Sequence, residues 1–332
     1  MMQLKQKQGR IMLHEKKHFA TFGGTSKNGH LCQPGLILEQ LKQAVQDKGW
    51  HGRHVCLAME NRACYMRTIT MPQLKKRELK QALFWEAKKH LPFNIDEAVV
   101  SYINIALRPG QVPATSNYLL AATPKETANM YTSLAAEAGL IPISLETPST
   151  AWLRSITGID VNNNHSTKKH LLFVDCGYST TLLLLTLDNR YCFHRIIHLG
   201  IKHFVQAVHV RYGRETQEAL RYVYSKGDLA EKGLLKEAGK LAYSINESLG
   251  YWSELYRDSP LKPAGLTLSG GGMLIPELAL YLQQKLGVKT SIYNPFFGIN
   301  CGQGEDGSGL NNKHDNTLFS TAHGLSLRGW LK

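Results

Sequence analysis

The clearest hydrophobic pattern in the chain lies at residues 171–200, LLFVDCGYSTTLLLLTLDNRYCFHRIIHLG. Leu171–Val174 is a short apolar run, which predicts a strand covered on both faces. A second apolar run, Leu182–Leu187, ends at the turn dipeptide Asp188-Asn189, and Tyr191–His198 then predicts a returning strand. The segment is therefore predicted to form three consecutive strands, with a tight turn after the first.

A related pattern occurs at Leu266–Gly272, LTLSGGG, where an apolar strand stops at three glycines. Apolar positions at helical spacing follow it and predict a helix over Ile275–Leu286. A strand that ends in glycine and opens a helix is typical of a turn at which the backbone closely approaches another group.

The rest of the pattern mixes short strands with amphipathic helices, which predicts an α/β protein. Strands are predicted at His54–Met59, Tyr65–Met71, Val99–Leu107, Tyr118–Thr123 and Ile141–Glu146. Helices are predicted at Gly35–Lys48, Lys75–His90, Pro124–Ala138 and Ser149–Ile156, over much of 201–258, and at Thr317–Leu331.

Two features depart from this alternation. In the helix at Lys75–His90, Trp85 lies away from the inward face formed by Leu79 and Leu83, which indicates a contact with another subdomain or with a partner. Thr157–Lys169 and Cys301–Asn316 are polar, and we interpret them as a linker between two halves and as a mobile loop.

Charge narrows the choice of partners. The 332 residues carry a formal net charge of +13 and a pI near 9.4, which suggests an acidic partner such as anionic lipid, nucleic acid or an acidic protein face. No basic tract is interleaved with aromatic residues in the manner used to stack single-stranded bases, so nucleic acid is not expected. A diffuse basic surface without a specific partner explains the charge equally well.

Cysteine usage and hydropathy indicate the compartment. None of the six cysteines forms a C-x-x-C pair, several lie inside apolar strands, and no signal peptide is recognised, so we expect a reducing cytoplasm. The longest apolar run is far shorter than the ~20 residues that span a bilayer. The scattered histidines lack a ligand spacing, and no structural zinc is predicted.

The candidate chemistry lies at the two turns. Asp175 at a strand end suits a carboxylate that holds a metal-bound water, Gly177 allows backbone amides to approach an anion, and Ser179 and Thr180 add hydroxyl donors for a phosphate. The alternative is a plain hairpin with an Asx-type turn. Gly270, Gly271 and Gly272 suit close approach to a flat or anionic ligand, or else they only let the following helix pack tightly on its strand.

Several further motifs occur in a fixed order. They are Arg67-Thr68-Ile69-Thr70-Met71-Pro72, Glu86 with Leu91-Pro92-Phe93 and Asp96-Glu97-Ala98, Leu120-Ala121-Ala122-Thr123-Pro124-Lys125, Glu146 with Pro148 and Ala151, the two turns, Tyr293-Asn294-Pro295-Phe296, and Ala322-His323-Gly324-Leu325-Ser326-Leu327-Arg328. Together they cover nearly the whole chain. They resemble the PilM family of type IV pilus assembly proteins, which are relatives of the cell-division protein FtsA.

The resemblance implies the two-lobed, actin-like ATPase (ribonuclease H-like) fold with a small inserted α+β subdomain. The first lobe would be 1–156 with the insert at about 55–140. After the linker 157–169, the second lobe would be 170–332, with a helical subdomain at about 201–258. By the same resemblance, D-x-G-x-x-T is the second phosphate loop and S-G-G-G the adenosine loop. ATP would then bind at Asp175, Gly177, Ser179, Thr180, Gly270, Gly271 and Gly272, with Mg²⁺ held by Asp175 through water.

For function, the resemblance implies a scaffold on the cytoplasmic face of the inner membrane, close to anionic lipid. Its partners would be the cytoplasmic N-terminal peptide of a PilN-like membrane protein and the pilus motor ATPases. An active ATPase or a sugar-kinase-like enzyme is the alternative, but no motif supplies a catalytic aspartate with a sugar pocket.

Departures from the family pattern weaken the case for hydrolysis. Met1-Met2-Gln3-Leu4 looks like the sequence just after the family's first phosphate loop. Either the gene start is placed too late, or this copy has lost the loop. Gly200 is followed by Ile201 where the family commonly has a second glycine, and the helix around Glu218 lacks the family's ribose-reaching lysine. Half a phosphate clamp leaves triphosphate charge unneutralised, so robust hydrolysis is not expected.

Overall fold

The computed structural model describes residues 1–7, 10–19, 26–27, 30–105, 115–157, 170–188, 190–255, 262–297, 300–301 and 315–328. The predicted linker lies almost wholly outside the described residues, as does most of the loop predicted at Cys301–Asn316. None of the described helices combines the length and the apolar composition that a bilayer crossing requires.

The elements up to residue 146 are β1 (Met2–Lys7), β2 (Arg10–Lys16), β3 (Ser26–Lys27), β4 (His30–Leu31), α1 (Pro34–Asp47), β5 (His54–Ala58), β6 (Tyr65–Pro72), α2 (Lys76–Lys88), β7 (Ala98–Ile105), β8 (Thr115–Pro124), α3 (Lys125–Glu137) and β9 (Ile141–Glu146). Those that follow are α4 (Pro148–Thr157), β10 (His170–Cys176), β11 (Thr181–Leu187), β12 (Arg190–Ile197), α5 (Ile201–Tyr212), α6 (Thr216–Tyr224), α7 (Leu235–Leu255), β13 (Gly265–Ser269), α8 (Leu278–Leu286), β14 (Thr290–Ile292), β15 (Asn300–Cys301) and α9 (Ser320–Ser326). Short 3-10 helices add Asn61–Ala63, Ile95–Glu97, Gly271–Leu274 and Asp315–Phe319.

The chain divides into two compact units, Phe19–Thr150 and Met1–His18 with Ala151–Lys332. In the first unit, β8 lies between β6 and β7 in an antiparallel sheet, and β5 pairs in parallel with β9. α2 covers one face of the three-stranded sheet because its apolar stripe, with Leu79 and Leu83, packs on Ile69 and Leu120. Burying such a stripe contributes most of the stability of a helix of this length.

The second unit is built on a mixed five-stranded sheet in the order β12-β11-β10-β13-β14. β12, β11 and β10 are antiparallel, as the hairpin pattern predicts, and β13 and β14 run parallel to β10. The central strands carry continuous apolar runs because helices cover them: Leu172 and Leu183 share one core with Phe204 of α5 and Leu241 of α7.

The amino-terminal hairpin packs with the later part of the chain. β1 and β2 pair antiparallel, Cys301 of β15 pairs in parallel with Leu13 of β2, and α9 packs against β1. The compact units therefore place Met1–His18 with residues 151–332, whereas the resemblance places them in the first lobe. The predicted lobe boundaries stay a prediction.

Packing explains the glycine in the motif Ala322–Arg328. α4 and α9 cross so closely that a Cβ on Gly324 would overlap the carbonyl oxygen of Ala151, and the Arg154 guanidinium donates to the Gly324 carbonyl at 2.9 Å. Only glycine fits at such a crossing.

Two predicted helices begin later than expected. The helix predicted at Ile275–Leu286 begins at Leu278, because Glu277 before it has a left-handed backbone (φ 64°) and Gly271–Leu274 form a 3-10 turn. The helix predicted from Thr317 is α9, which begins at Ser320 after the 3-10 helix Asp315–Phe319.

Candidate functional site

The two predicted loops meet at one edge of the five-stranded sheet. β10 and β13 are parallel neighbours, and Asp175 lies opposite Ser269 in their register. Asp175 and Gly270 therefore lie at the carboxyl ends of adjacent strands, which is the usual position of ligand sites in α/β sheets. The structure thus brings together Asp175 and Gly270–Gly272, and we call this the strand-end site.

Asp175 is held by polar contacts within its own chain. The Ser269 hydroxyl lies beside the Asp175 carboxyl and also 3.1 Å from the Thr317 carbonyl oxygen. Burial raises the pKa of Asp175 to about 6, and the Ser269 contact only partly opposes this. Among the described residues, no group of three or more His, Cys, Asp and Glu side chains is arranged to hold a metal ion.

The amides that could bind an anion are bonded to the turn itself. Gly177 N–H donates to the Thr180 carbonyl at 3.0 Å. The first two amides of α5, from Ile201 and Lys202, donate to the carbonyls of Gly177 and Tyr178 at 3.0 and 2.9 Å. A helix N-terminus attracts phosphate through free amides, and here these amides bond the chain's own oxygens.

The residues with hydroxyl groups in the turn differ in how far they are buried. Ser179 is half-buried and Thr180 is buried. The next residue, Thr181, donates to the Leu199 carbonyl at 2.7 Å. A Cβ on Gly200 would lie 2.6 Å from the Gly177 carbonyl oxygen, so the end of the third strand is packed on the turn.

Each of the three glycines faces protein atoms. A Cβ on Gly270 would lie 2.5 Å from the Cys176 carbonyl oxygen, and one on Gly272 would lie 2.6 Å from the Cys176 Cβ. Thr317 clamps the same turn, since its carbonyl accepts from Gly270 N–H and its hydroxyl donates to the Gly270 carbonyl, both at 3.2 Å. These contacts favour the packing explanation of the triple glycine.

Ile201 fills the space between the start of α5 and the glycine turn. It is 3% exposed, and its Cδ1 lies 2.9 Å from the position of a Gly271 Cβ. The Tyr224 hydroxyl and a Leu318 methyl group lie 3.4 and 3.5 Å from the same position. In the described residues, the first amides of α5 are therefore bonded within the chain, and side chains cover the glycine turn at Gly271.

A second candidate surface lies on α2. Arg77, Gln81, Phe84, Trp85 and Lys88 are all exposed on the side opposite the buried stripe, and we call them the α2 outer face. The sequence pattern singled out Trp85 but not Phe84. The missed signal was the adjacency of two large aromatic residues outside the apolar stripe, within a run rich in lysine.

Comparison with known proteins gives a family match over nearly the whole chain. The family model described as "Type IV pilus assembly protein PilM" matches residues 1–330. A solved structure titled "PilM-PilN type IV pilus biogenesis complex" has a TM-score of 0.83 at 22% sequence identity, and the match covers 99% of this chain and 94% of that chain. The predicted fold, the actin-like fold in its PilM form, is confirmed.

More distant structures match less well. MreB5 of Spiroplasma citri bound to ADP is 13% identical with a TM-score of 0.48, covering 98% of this chain and 80% of that one. The ethanolamine utilization protein EutJ from Carboxydothermus hydrogenoformans is 15% identical with a TM-score of 0.40, covering 61% and 62%. Scores at this level carry no conclusion about ligands.

Proposed function

The chain belongs to the PilM family of type IV pilus assembly proteins, and from that premise we propose that it is a scaffold of a type IV pilus, or related competence or secretion, assembly machine. The observation that carries the proposal is the family match over residues 1–330. The scaffold would bind the cytoplasmic N-terminal peptide of a PilN-like inner-membrane protein, because the solved relative that matches 99% of this chain is a PilM–PilN complex.

The contacts of the strand-end site argue against phosphoryl transfer. Phosphoryl transfer depends almost entirely on positioning and on neutralising phosphate charge. Here the α5 amides bond Gly177 and Tyr178, and Ile201 covers the glycine turn. We therefore do not assign ATP hydrolysis or sugar-kinase activity to the chain.

ATP and Mg²⁺ enter the proposal only as ligands to be tested. The position of Asp175 at the end of β10 favours them, since a carboxylate there suits a metal-bound water. The contacts of Ile201 and the bonded amides of α5 oppose them. A nucleotide would have to displace the Ile201 side chain to reach Gly271.

We further propose that the protein works at the cytoplasmic face of the inner membrane, where its peptide partner emerges, and that it connects this partner to the motor ATPases. The net charge of +13 suits a position beside anionic lipid, which attracts basic surfaces within a Debye length. No nucleic-acid role is proposed.

Peptide binding tests the proposal directly. A fluorescent peptide copying the cytoplasmic N-terminus of the PilN-like protein from the same organism is titrated with the full chain, and anisotropy is measured at two salt concentrations. We expect saturable binding that a scrambled peptide of the same composition does not show. Equal binding of both peptides, or of neither, would refute the scaffold assignment.

A further inference from the structure

α2 presents two apolar surfaces, and the part of the chain that the structure describes covers one of them. Leu79, Leu83 and Ala87 are buried against the three-stranded sheet. On the α2 outer face, Trp85 is 55% exposed and Phe84 is 37% exposed. Two adjacent, large exposed aromatics are uncommon on a surface without a partner.

The two aromatic rings contact each other and a cation. The centroids of Phe84 and Trp85 are 6.2 Å apart in an edge-to-face arrangement, and the Lys88 ammonium lies 5.4 Å from the centroid of the Trp85 indole. The rings therefore form a small apolar ridge with a positive charge at its side. Tryptophan with such neighbours is favoured at the headgroup level of a bilayer, where one end of the ring is apolar and the other is wet.

The charges around this ridge are strongly one-sided. Residues 75–89 contain six Lys and Arg residues and two Glu residues, a net charge of +4 out of the +13 of the whole chain. Glu86 binds Lys89 at 2.8 Å and His90 at 3.1 Å, which leaves Glu78 as the exposed acidic residue of this stretch. Within the described residues, no ion pair is found for Arg77, Lys80 or Lys88.

We propose that the α2 outer face docks on an anionic lipid bilayer. Phe84 and Trp85 enter the headgroup region. Arg77 and Lys88 of this face, with the neighbouring exposed Lys80, extend their long side chains to lipid phosphates. The proposal rests on the proposed function in one respect, since a scaffold for an inner-membrane protein works beside such a surface. A bilayer fits a single convex helix with flexible cations, which offers no groove for a partner's side chains.

Vesicle binding of the full chain tests this surface. Flotation with phosphatidylcholine vesicles is compared with flotation after 30% of the lipid is replaced by phosphatidylglycerol. We expect binding only to the anionic vesicles, with partitioning that falls about fivefold for each cation removed near the surface. The triple variant Arg77→Gln/Lys80→Gln/Lys88→Gln should then lose roughly a hundredfold.

A matched control separates a specific face from diffuse charge. The variant Lys226→Gln/Lys236→Gln/Lys289→Gln removes the same net charge from exposed positions in the other unit, and it should lose less than threefold. Phe84→Ala/Trp85→Ala should lose at least tenfold, whereas Tyr243→Ala, which removes another exposed aromatic, should change nothing. Equal losses in the two charge variants would overturn the proposal.

Fluorescence quenching reports the depth of Trp85 directly. Anionic vesicles with brominated acyl chains should quench part of the tryptophan emission, and Trp85→Phe should retain binding but lose that quenching. Binding without quenching in the wild type would refute insertion at this face. If all α2 variants float normally but lose a pilus protein in pull-down, the face binds protein and the lipid proposal fails.

The peptide titration contains no vesicles, so it fails or succeeds independently of the lipid result. The α2 variants should bind the PilN-like peptide as the wild type does. If the wild type floats with anionic vesicles but does not bind the peptide, the result counts against the scaffold function alone.

Discussion

The strand-end site and the α2 outer face differ in how far their functional groups are exposed to solvent. The strand-end site has the residue types of a ligand site, yet its amides, hydroxyls and glycines contact the chain itself. The α2 outer face matches no motif, yet its aromatics and cations are exposed. A sequence motif therefore indicates which backbone conformations are allowed. Whether its residues are free to bind a partner depends on tertiary contacts, which a short motif does not contain.

The strongest test of this contrast places a side chain on the glycine turn. Gly272→Val should lower the free energy of unfolding by about 3 kcal/mol or more, because its Cβ would lie 2.6 Å from the Cys176 Cβ in a packed core. The measurement is urea unfolding followed by circular dichroism.

Gly250→Ala provides the matched control for that substitution. Gly250 lies inside α7, and nothing lies within 4 Å of its Cβ position. Alanine should stabilise the helix there by about 0.5–1 kcal/mol. If Gly272→Val is tolerated as well as Gly250→Ala, the glycine turn has open space and the strand-end site is not closed.

Mild acid should loosen the unit that contains the strand-end site before it affects α2. Burial lowers the pKa of His323 and of His194 to about 4. Unfolded histidine titrates near 6.5, so the unfolded state binds more protons between pH 6.5 and 4, and stability falls as the pH falls through that window. The loss is roughly 3 kcal/mol for each histidine.

Hydrogen exchange at pH 7 and pH 5 locates this loss. Exchange should accelerate in α9, where the His323 Nδ1 lies 2.7 Å from the Ser155 hydroxyl, and in β12, which contains His194. The amides of α2 should change less, and His323→Gln should reduce the pH dependence. Uniform acceleration across both units would show that these buried histidines do not control acid stability.

The sequence predicted much of this architecture because its signals were local. The apolar runs of β10 and β11 and the turn at Asp188 needed only their own residues to be recognised, and the inward stripe of α2 was visible as Leu79, Leu83 and Ala87. The start of α8 was misjudged because the apolar spacing gave no sign of the left-handed backbone at Glu277. The closure of the strand-end site could not be predicted, since Ile201, Tyr224 and Leu318 approach Gly271 only through tertiary packing.

Asp175→Asn tests whether the partly buried carboxylate has a ligand to hold. The pKa of Asp175 is about 6 in the folded chain against an ordinary value of 3.8, so the folded state holds its proton more tightly and stability falls as the pH rises through that window. Asparagine does not titrate, and it keeps a partner for the Ser269 hydroxyl. The variant should therefore match the wild type at pH 4 and exceed it by about 2 kcal/mol at pH 7.5.

The control for that comparison is Asp315→Asn, at an acidic residue in the same unit. It removes a carboxylate from the 3-10 helix Asp315–Phe319, so an equal gain there would show that the effect is not specific to the strand-end site. A wild type more stable than Asp175→Asn at pH 7.5 would mean that the charge is stabilised by something the contacts do not reveal, and it would reopen the strand-end site as a place for a cation.

The smallest expected effect is that of nucleotide itself. A ligand that binds only the folded chain adds RT ln(1 + [L]/Kd), so 5 mM Mg-ATP at a Kd of about 50 μM would add about 2.7 kcal/mol and raise the melting temperature by several degrees. We expect a shift below 1 °C in the wild type, because Ile201 and the bonded amides of α5 already occupy the turn.

ADP and Mg²⁺ alone serve as controls, and Ile201→Gly removes the covering side chain. A clear shift with Mg-ATP that Asp175→Asn abolishes would break the contrast between the two regions, since the strand-end site would then be open in solution. A shift that appears only in Ile201→Gly would sharpen it, because one side chain would account for the closure.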